Sequence, residues 1–203
     1  MNKGMLLVLN GTSSSGKSSI SAELIKQKEI PFYHVSIDDF FMNYNDFINH
    51  KFPDEPVREI DHQAVSQILD DSIVSVYYST IKLLSEMGFN VIVDTVFDND
   101  KRFNEFWDHF ADRTTTLFVG VLCSREELIR REQARGDRQI GLADAQFDIV
   151  YCFEEYDLEV NTEELNPAEC AEQILNYIKS NQEFSAFQKL RKRDADLNRT
   201  LLT

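Results

Sequence analysis

The chain has 203 residues, with 21 Lys+Arg against 35 Asp+Glu and a formal charge of −14. That balance disfavours nucleic acid or an anionic membrane as partner, because both repel an acidic surface. The length suits one α/β domain with a full core, and seven glycines and four prolines leave little room for disordered linkers.

Met5-Leu6-Leu7-Val8-Leu9 is a continuous apolar run of the kind a strand buried on both faces shows. Directly after it, Gly11-Thr12-Ser13-Ser14-Ser15-Gly16-Lys17-Ser18 fits the spacing G-x-x-x-x-G-K-[ST]. Ile20, Leu24 and Ile25 then fall on one helical face, so the loop joins a strand to a helix N-terminus. In that context Gly11 and Gly16 let the backbone curl until several N–H groups converge on one phosphate, helped by the helix dipole. The expected nucleotide-binding set is Gly11, Thr12, Ser13, Ser14, Ser15, Gly16, Lys17, Ser18 and Ser19. Lys17 is expected to reach the β- and γ-phosphates and Ser18 to ligate Mg²⁺. The bland alternative, a serine-rich turn capping an ordinary helix, does not account for the preceding strand.

Pro31 breaks the first helix, and Phe32 to Ile37 reads as a second strand running into Asp38-Asp39. Residues 40–60 show no clean period. They hold Phe40, Phe41, Tyr44, Phe47 and Phe52 among polar residues, with Pro53 and Pro56 stopping any helix. From about Asp61 to Gly88 the apolar positions keep a helical period, as one helix or as two broken near Asp70-Asp71. Phe89 to Val93 is a third strand ending on Asp94. Phe103, Phe106, Trp107 and Phe110 mark one face of a short helix, a stripe whose spacing favours core packing over cofactor stacking. Leu117 to Leu122 is a fourth strand, followed by a charged helix over Ser124 to Arg135 and a helical stretch between Asp144 and Phe153. Tyr156 to Val160 alternates, as a sheet edge does. Asn166-Pro167-Ala168-Glu169 is a helix start with Asn as N-cap, Pro at N1 and Glu at N3. Beyond Asn181, Phe184, Phe187 and Leu190 with the run Arg191-Lys192-Arg193 read as an added amphipathic helix with a solvated basic face. Cys123, Cys152 and Cys170 lack C-x-x-C spacing and read as buried hydrophobes in a reduced compartment. No signal-like or membrane-length apolar run is present, so the expected location is the cytoplasm.

Strands alternating with helices predict a three-layer α/β domain with a mostly parallel sheet of about five strands. Ligands of such sheets sit at the carboxyl ends of the strands, which brings the phosphate loop, Asp38-Asp39 and Asp94 to one rim. Asp94 closes an apolar strand in the Walker-B arrangement, where a carboxylate holds Mg²⁺ directly or through water. Asp38 is placed to accept a proton from an acceptor hydroxyl, against an Asx-turn or N-cap as structural alternatives; spacing alone does not separate it from Asp39. Arg131, Arg135 and Arg138, at i, i+4 and i+7, share a helical face and are candidates for stabilising phosphoryl charge. A solvated helix laced by pairs such as Glu127–Arg131 is the alternative.

Residues Leu9 to Ser18 resemble the loop of chloramphenicol phosphotransferases, which phosphorylate the antibiotic's hydroxyl with ATP. Val119-Gly120-Val121, Cys123, Arg131-Glu132 and Ala134-Arg135-Gly136-Asp137-Arg138 resemble that family's lid. Tyr156-Asp157, Glu159-Val160 and Glu169-Cys170-Ala171 resemble its last strand and helix. The resemblance covers about Met5 to Tyr177. It implies a P-loop kinase fold over 1–180 with a lid at 124–140, the cofactors ATP and Mg²⁺, and the aspartate after strand two, Asp38, as catalytic base. Asp94 aligns with the first of the family's strand-three acidic pair, and Thr95 replaces the second. Residues 40–87 depart from the family pattern, and 181–203 form an extension without counterpart.

The expected function is ATP-dependent transfer of the γ-phosphoryl group to a hydroxyl of a small molecule, with Lys17, Asp38 and Arg135 as catalytic residues. Few basic residues and five aromatics in the acceptor-side segment 40–60 point to a neutral or cationic, chloramphenicol-like acceptor. A kinase for a nucleoside or other metabolite is the alternative within the fold, and a nucleotide-binding regulatory module the alternative outside catalysis.

Overall fold

Leu6–Asn10 forms β1, all five residues buried, and it occupies the centre of a five-stranded sheet. The computed structural model describes residues 2–51, 62–110, 115–136, 140–153, 155–180 and 183–190. In chain order β1 is followed by α1 (Lys17–Lys26), β2 (Phe32–Ser36), α2 (Ile37–Lys51), α3 (His62–Glu86), β3 (Asn90–Thr95) and α4 (Asp100–Phe110). Then come β4 (Thr116–Leu122), α5 (Arg125–Arg135), α6 (Leu142–Val150), β5 (Leu158–Asn161) and α7 (Pro167–Lys179). The sheet order is β2-β3-β1-β4-β5, and every neighbouring pair is parallel.

Alternation along β1 sorts the two layers. Leu6 and Val8 point into a cluster with Tyr77, Tyr78 and Ile81 of α3 and Phe103, Phe106, Trp107 and Phe110 of α4. Leu7 and Leu9 point the other way, against Ile20 and Leu24 of α1 and Cys170, Ala171 and Ile174 of α7. Both faces of the central strands are therefore covered, which explains their unbroken apolar runs. The aromatic stripe of α4 is core, as its spacing predicts.

One segment differs from the sequence reading, and a second settles an alternative left open there. Residues 37–51 form a helix that leaves β2 directly, where 40–60 showed no clean period. Ile37, Phe40, Phe41 and Tyr44 stand at i, i+3, i+4 and i+7; assigning Ile37 to the strand hid that helical phase. The span 62–86 is one helix without a break near Asp70-Asp71. No proline or glycine interrupts it, and its buried Ile73, Val74, Tyr77, Tyr78 and Ile81 bind it to the sheet over consecutive turns. Gly88, at φ 93°, turns the chain out of it. Phe52, Pro53, Pro56, Arg138 and the run Arg191-Lys192-Arg193 lie outside the described residues. Among the described residues no helix is long and apolar enough to cross a membrane.

The predicted start of α7 is present in full: Asn166 accepts from the N–H groups of Ala168 and Glu169, and Glu169 accepts from Asn166 N. Farther on, 186–190 is helical. Asp157 Oδ1 accepts from Ser185 N at 2.7 Å and Ala186 N at 2.9 Å, which caps this turn. Phe187 is buried and stacks on Trp107, ring centroids 4.3 Å apart. Phe187→Ala is expected to lower unfolding stability by about 3 kcal/mol in urea titration, the cost of emptying a buried aromatic site. A change under about 0.5 kcal/mol, the size of an exposed substitution, would mean that 183–190 adds nothing to the core.

Candidate active site

The loop between β1 and α1 is fixed from both ends. At its base Asn10 is fully buried, and its Nδ2 donates to Val150 O (3.1 Å) and Tyr156 Oη (2.9 Å). Its Oδ1 accepts from Phe97 N at 3.3 Å. Gly11 follows where a Cβ would stand 2.7 Å from Val121 O, so only glycine passes so close to β4. Gly16 precedes α1 at φ 98°, a conformation that L side chains rarely adopt. From across the cleft, Gln146 of α6 accepts from Ser13 N at 2.9 Å. Thr162, after β5, donates to Ser15 O at 2.8 Å.

Lys17 is buried, and its Nζ lies 2.8 Å from Gly11 O and 2.9 Å from Thr12 O, curled over the loop. Ser18 donates to Asp94 Oδ2 at 2.9 Å, joining the first turn of α1 to the end of β3. His34 Nε2 stands 3.4 Å from the same oxygen, at ion-pair range rather than hydrogen-bond length. Burial alone would push the Asp94 carboxyl up. His34, Lys17 and Ser18 together outweigh that and hold it below the usual carboxylate range. Tyr77 ties the neighbouring strand ends together, donating to Asp94 O at 3.0 Å and Val35 O at 3.3 Å.

Beside these groups lies a cleft of about 580 Å³. Lys17, Ser18, Asp38, Asp94, Arg131 and Arg135 all line it, together with loop residues 13–16 and Ser19. Gly11 and Thr12 form the loop's buried base. Asp38, in the first turn of α2, is half-buried and faces the cleft, whereas its neighbour Asp39 is exposed and does not line it. A helix turns about 100° per residue, so adjacent acids diverge. Among the lining side chains five cations, Lys17, Arg102, Arg130, Arg131 and Arg135, stand against Asp38, Asp94 and Asp98. The net-acidic chain thus gathers positive charge in one place.

The lid-side arginines divide by role. Arg131 is directed to the scaffold: it bonds Glu127 at 2.8 Å, Thr162 Oγ1 at 3.0 Å and Thr162 O at 2.8 Å. Arg130 also grips Glu127, and the two guanidinium groups hold that carboxyl down to about 2. Arg135 is exposed at the last turn of α5, before Gly136 ends the helix at φ 67°. Buried Glu132 accepts from Gly141 N (2.6 Å) and Ala143 N (2.8 Å), capping α6 from α5. Arg125 bonds Asp144 and Asp148 across the same pair of helices. His34, Gln146 and Thr162 carry no motif, because each acts on a partner distant in sequence, and the bonds of Asn10 and Tyr156 likewise join residues far apart.

Of the five aromatics expected on the acceptor side, Phe41 lines the cleft. Phe40 instead packs edge-on against Tyr77 at 5.3 Å, Phe47 is exposed, and Tyr44 does not line the cleft. Among the described residues α2 turns most of these rings away from the cleft, because helical spacing gives each residue its own direction.

A phosphate loop on the central strand of a β2-β3-β1-β4-β5 parallel sheet, a strand-end aspartate beside its serine and a cationic cleft define a small-molecule P-loop kinase. The sequence profile of the chloramphenicol phosphotransferase-like proteins matches residues 4–179, and the chain belongs to that family. A Mycobacterium tuberculosis protein provisionally named an O-phosphotransferase is 27% identical over 216 residues, spanning 95% of this chain and 90% of the relative. Among solved structures, a provisionally named kinase of Chloroflexus aurantiacus superposes with TM-score 0.64 at 17% identity, covering 90% of this chain and 100% of that one. The APS kinase CysC of M. tuberculosis, solved with AMPPNP and APS, gives TM-score 0.58 at 16% identity, covering 88% and 99%. Both structures share the fold.

Asp94 has a pH signature. A carboxyl lowered in the fold stabilises it above the unfolded value, and that contribution is lost as pH falls through the folded value. Asp94→Asn is therefore expected to flatten the acid limb of a Tm-against-pH curve taken from about pH 7 to about pH 3. An acid limb of wild-type steepness would contradict the electrostatic role given to His34 and Lys17.

Proposed function

We propose that the protein is an ATP-dependent O-phosphotransferase that moves the γ-phosphoryl group to a hydroxyl of a small, uncharged or cationic molecule of the chloramphenicol kind. The observation that carries this reading is that one cleft is bordered by both the phosphate loop and the Asp38 carboxylate. A module that only held nucleotide would need no carboxylate opposite the loop.

The loop backbone from Gly11 to Ser19 and Lys17 hold the β- and γ-phosphates. Ser14 Oγ is buried in this loop with no partner among the described residues, as suits a hydroxyl meant for a phosphate oxygen. Ser18 and Asp94 hold Mg²⁺: one hydroxyl and one carboxylate in mutual contact are a donor set this ion uses alongside phosphate oxygens and water. Held there, Mg²⁺ would supply positive charge against the phosphates. Arg135, at the exposed end of α5, meets the charge of the transferring phosphoryl group, while Arg131, held by Glu127 and Thr162, keeps α5 beside the loop. Asp38 takes the proton of the acceptor hydroxyl as its oxygen attacks. Most of the acceleration comes from alignment and charge stabilisation, since little covalent work falls to protein groups. The apolar Ile37, Phe41 and Val96, which line the same cleft as Asp38, support an acceptor with an apolar body.

The test pairs two variants in an acceptor-dependent ATP-turnover assay. Asp38→Asn keeps size but takes no proton, so kcat is expected to fall by roughly 10²–10⁴ with ATP affinity little changed. Lys17→Met should nearly abolish turnover in a folded protein. A large loss in Asp39→Asn instead of Asp38→Asn, or normal turnover in Lys17→Met, would contradict the assignment.

A further inference from the structure

One pair in the cleft has no place in the chemistry above. Arg102 Nη1 bonds both carboxylate oxygens of Asp98, at 2.9 and 3.0 Å, and the two side chains are 27% and 24% exposed. The guanidinium lies over the ring of Phe41, 5.9 Å from its centroid. Phe41 is three residues beyond Asp38 on α2, so the two share a helix face, and all four residues line the cleft. As a stabilising element the pair is poor: a partly exposed i, i+4 pair contributes little. Arg102 also sits in the first turn of α4, where the helix dipole disfavours a cation.

We propose that Asp98 sets the charge class of the acceptor by holding Arg102 over Phe41, so that the cleft admits uncharged and cationic alcohols and turns away those bearing a carboxylate or phosphate. The inference rests on the reading that the acceptor sits on the Asp38 side of the cleft. Among the described residues Arg102 is the cation beside Phe41, and Asp98 already matches its charge. An anionic acceptor would meet Asp38 and Asp98 together and could reach Arg102 only by displacing Asp98. An uncharged acceptor needs no such exchange, and a cationic one brings no like charge to either acid. The two residues therefore act in opposite senses: loss of the Asp98 charge releases a cation for anionic acceptors, and loss of Arg102 leaves an unmatched acid for cationic ones.

The experiment measures binding of three matched alcohols to the full chain with AMPPNP and Mg²⁺ by ligand-observed NMR: 4-(hydroxymethyl)benzamide, 4-(hydroxymethyl)benzoate and 4-(aminomethyl)benzyl alcohol. The wild type should bind the benzoate about tenfold more weakly than the benzamide. Asp98→Asn should raise the benzoate-to-benzamide affinity ratio by about tenfold, and Arg102→Met should raise the ratio for the amino alcohol by a similar factor. Because the variants push in opposite directions, general loosening of the cleft does not mimic the result, and either variant alone tests it. Ratios unchanged in both, or no binding of any probe to any of the three proteins, would overturn the proposal. Ratios that move as expected support it even without phosphoryl transfer; it is then the O-phosphotransferase reading that fails.

Discussion

The register of β1 between β3 and β4 sets the level of everything at the cleft. Leu9 lies opposite Asp94 and Val119, and Ser36 lies opposite Asp94 from the other side, so three strand ends finish at one height. The helices that follow β1 and β2 then present their first turns, with Ser18 and Asp38, to the same space. A one-residue slip of β3 would exchange the faces of Asp94 and its neighbours. Asp94 now shares a face with Ile92 and meets Ser18 of α1; after a slip it would lie under α3 among aromatic rings. Apolar burial on both faces of the sheet therefore specifies the active-site geometry as well as the stability.

The charge distribution follows from what this cleft must attract. A net charge of −14 repels a nucleoside triphosphate at long range, and the lining cations reverse that locally. Several of these cations are held in place by acids of the same chain: Arg131 and Arg130 by Glu127, Arg102 by Asp98. Such pairing fixes direction and lowers the free charge the cleft presents. Arg135, on the last turn before a glycine in the left-handed conformation, stands at the point where α5 gives way to the 137–139 segment.

The fold was legible because its signals are local. The phosphate loop lies within ten residues, the strands are unbroken apolar runs, and the capping box of α7 spans Asn166 to Glu169. Residues 37–51 were obscured because Ile37 serves strand-like and helical patterns equally. Spacing brought Lys17, Ser18 and Asp94 to one rim but left Asp38 and Asp39 open, and the family resemblance alone favoured Asp38; α2 then gives each acid a direction, with Asp38 lining the cleft. Asn10 with Tyr156, Gln146 with Ser13 and Thr162 with Arg131 were illegible, since partners 31 to 146 residues apart leave no pattern in a single sequence.

The central claim is that a phosphoryl group passes from ATP to an alcohol oxygen in this cleft. Its most direct measurement follows ATP labelled with ¹⁸O in the γ-phosphoryl group, incubated with the protein, Mg²⁺ and a panel of neutral and cationic alcohols that includes chloramphenicol. Mass spectrometry of the products should find a phosphate monoester of one or more acceptors carrying the labelled oxygens, absent with Lys17→Met. Label appearing in inorganic phosphate alone, with every acceptor unmodified, would contradict the account.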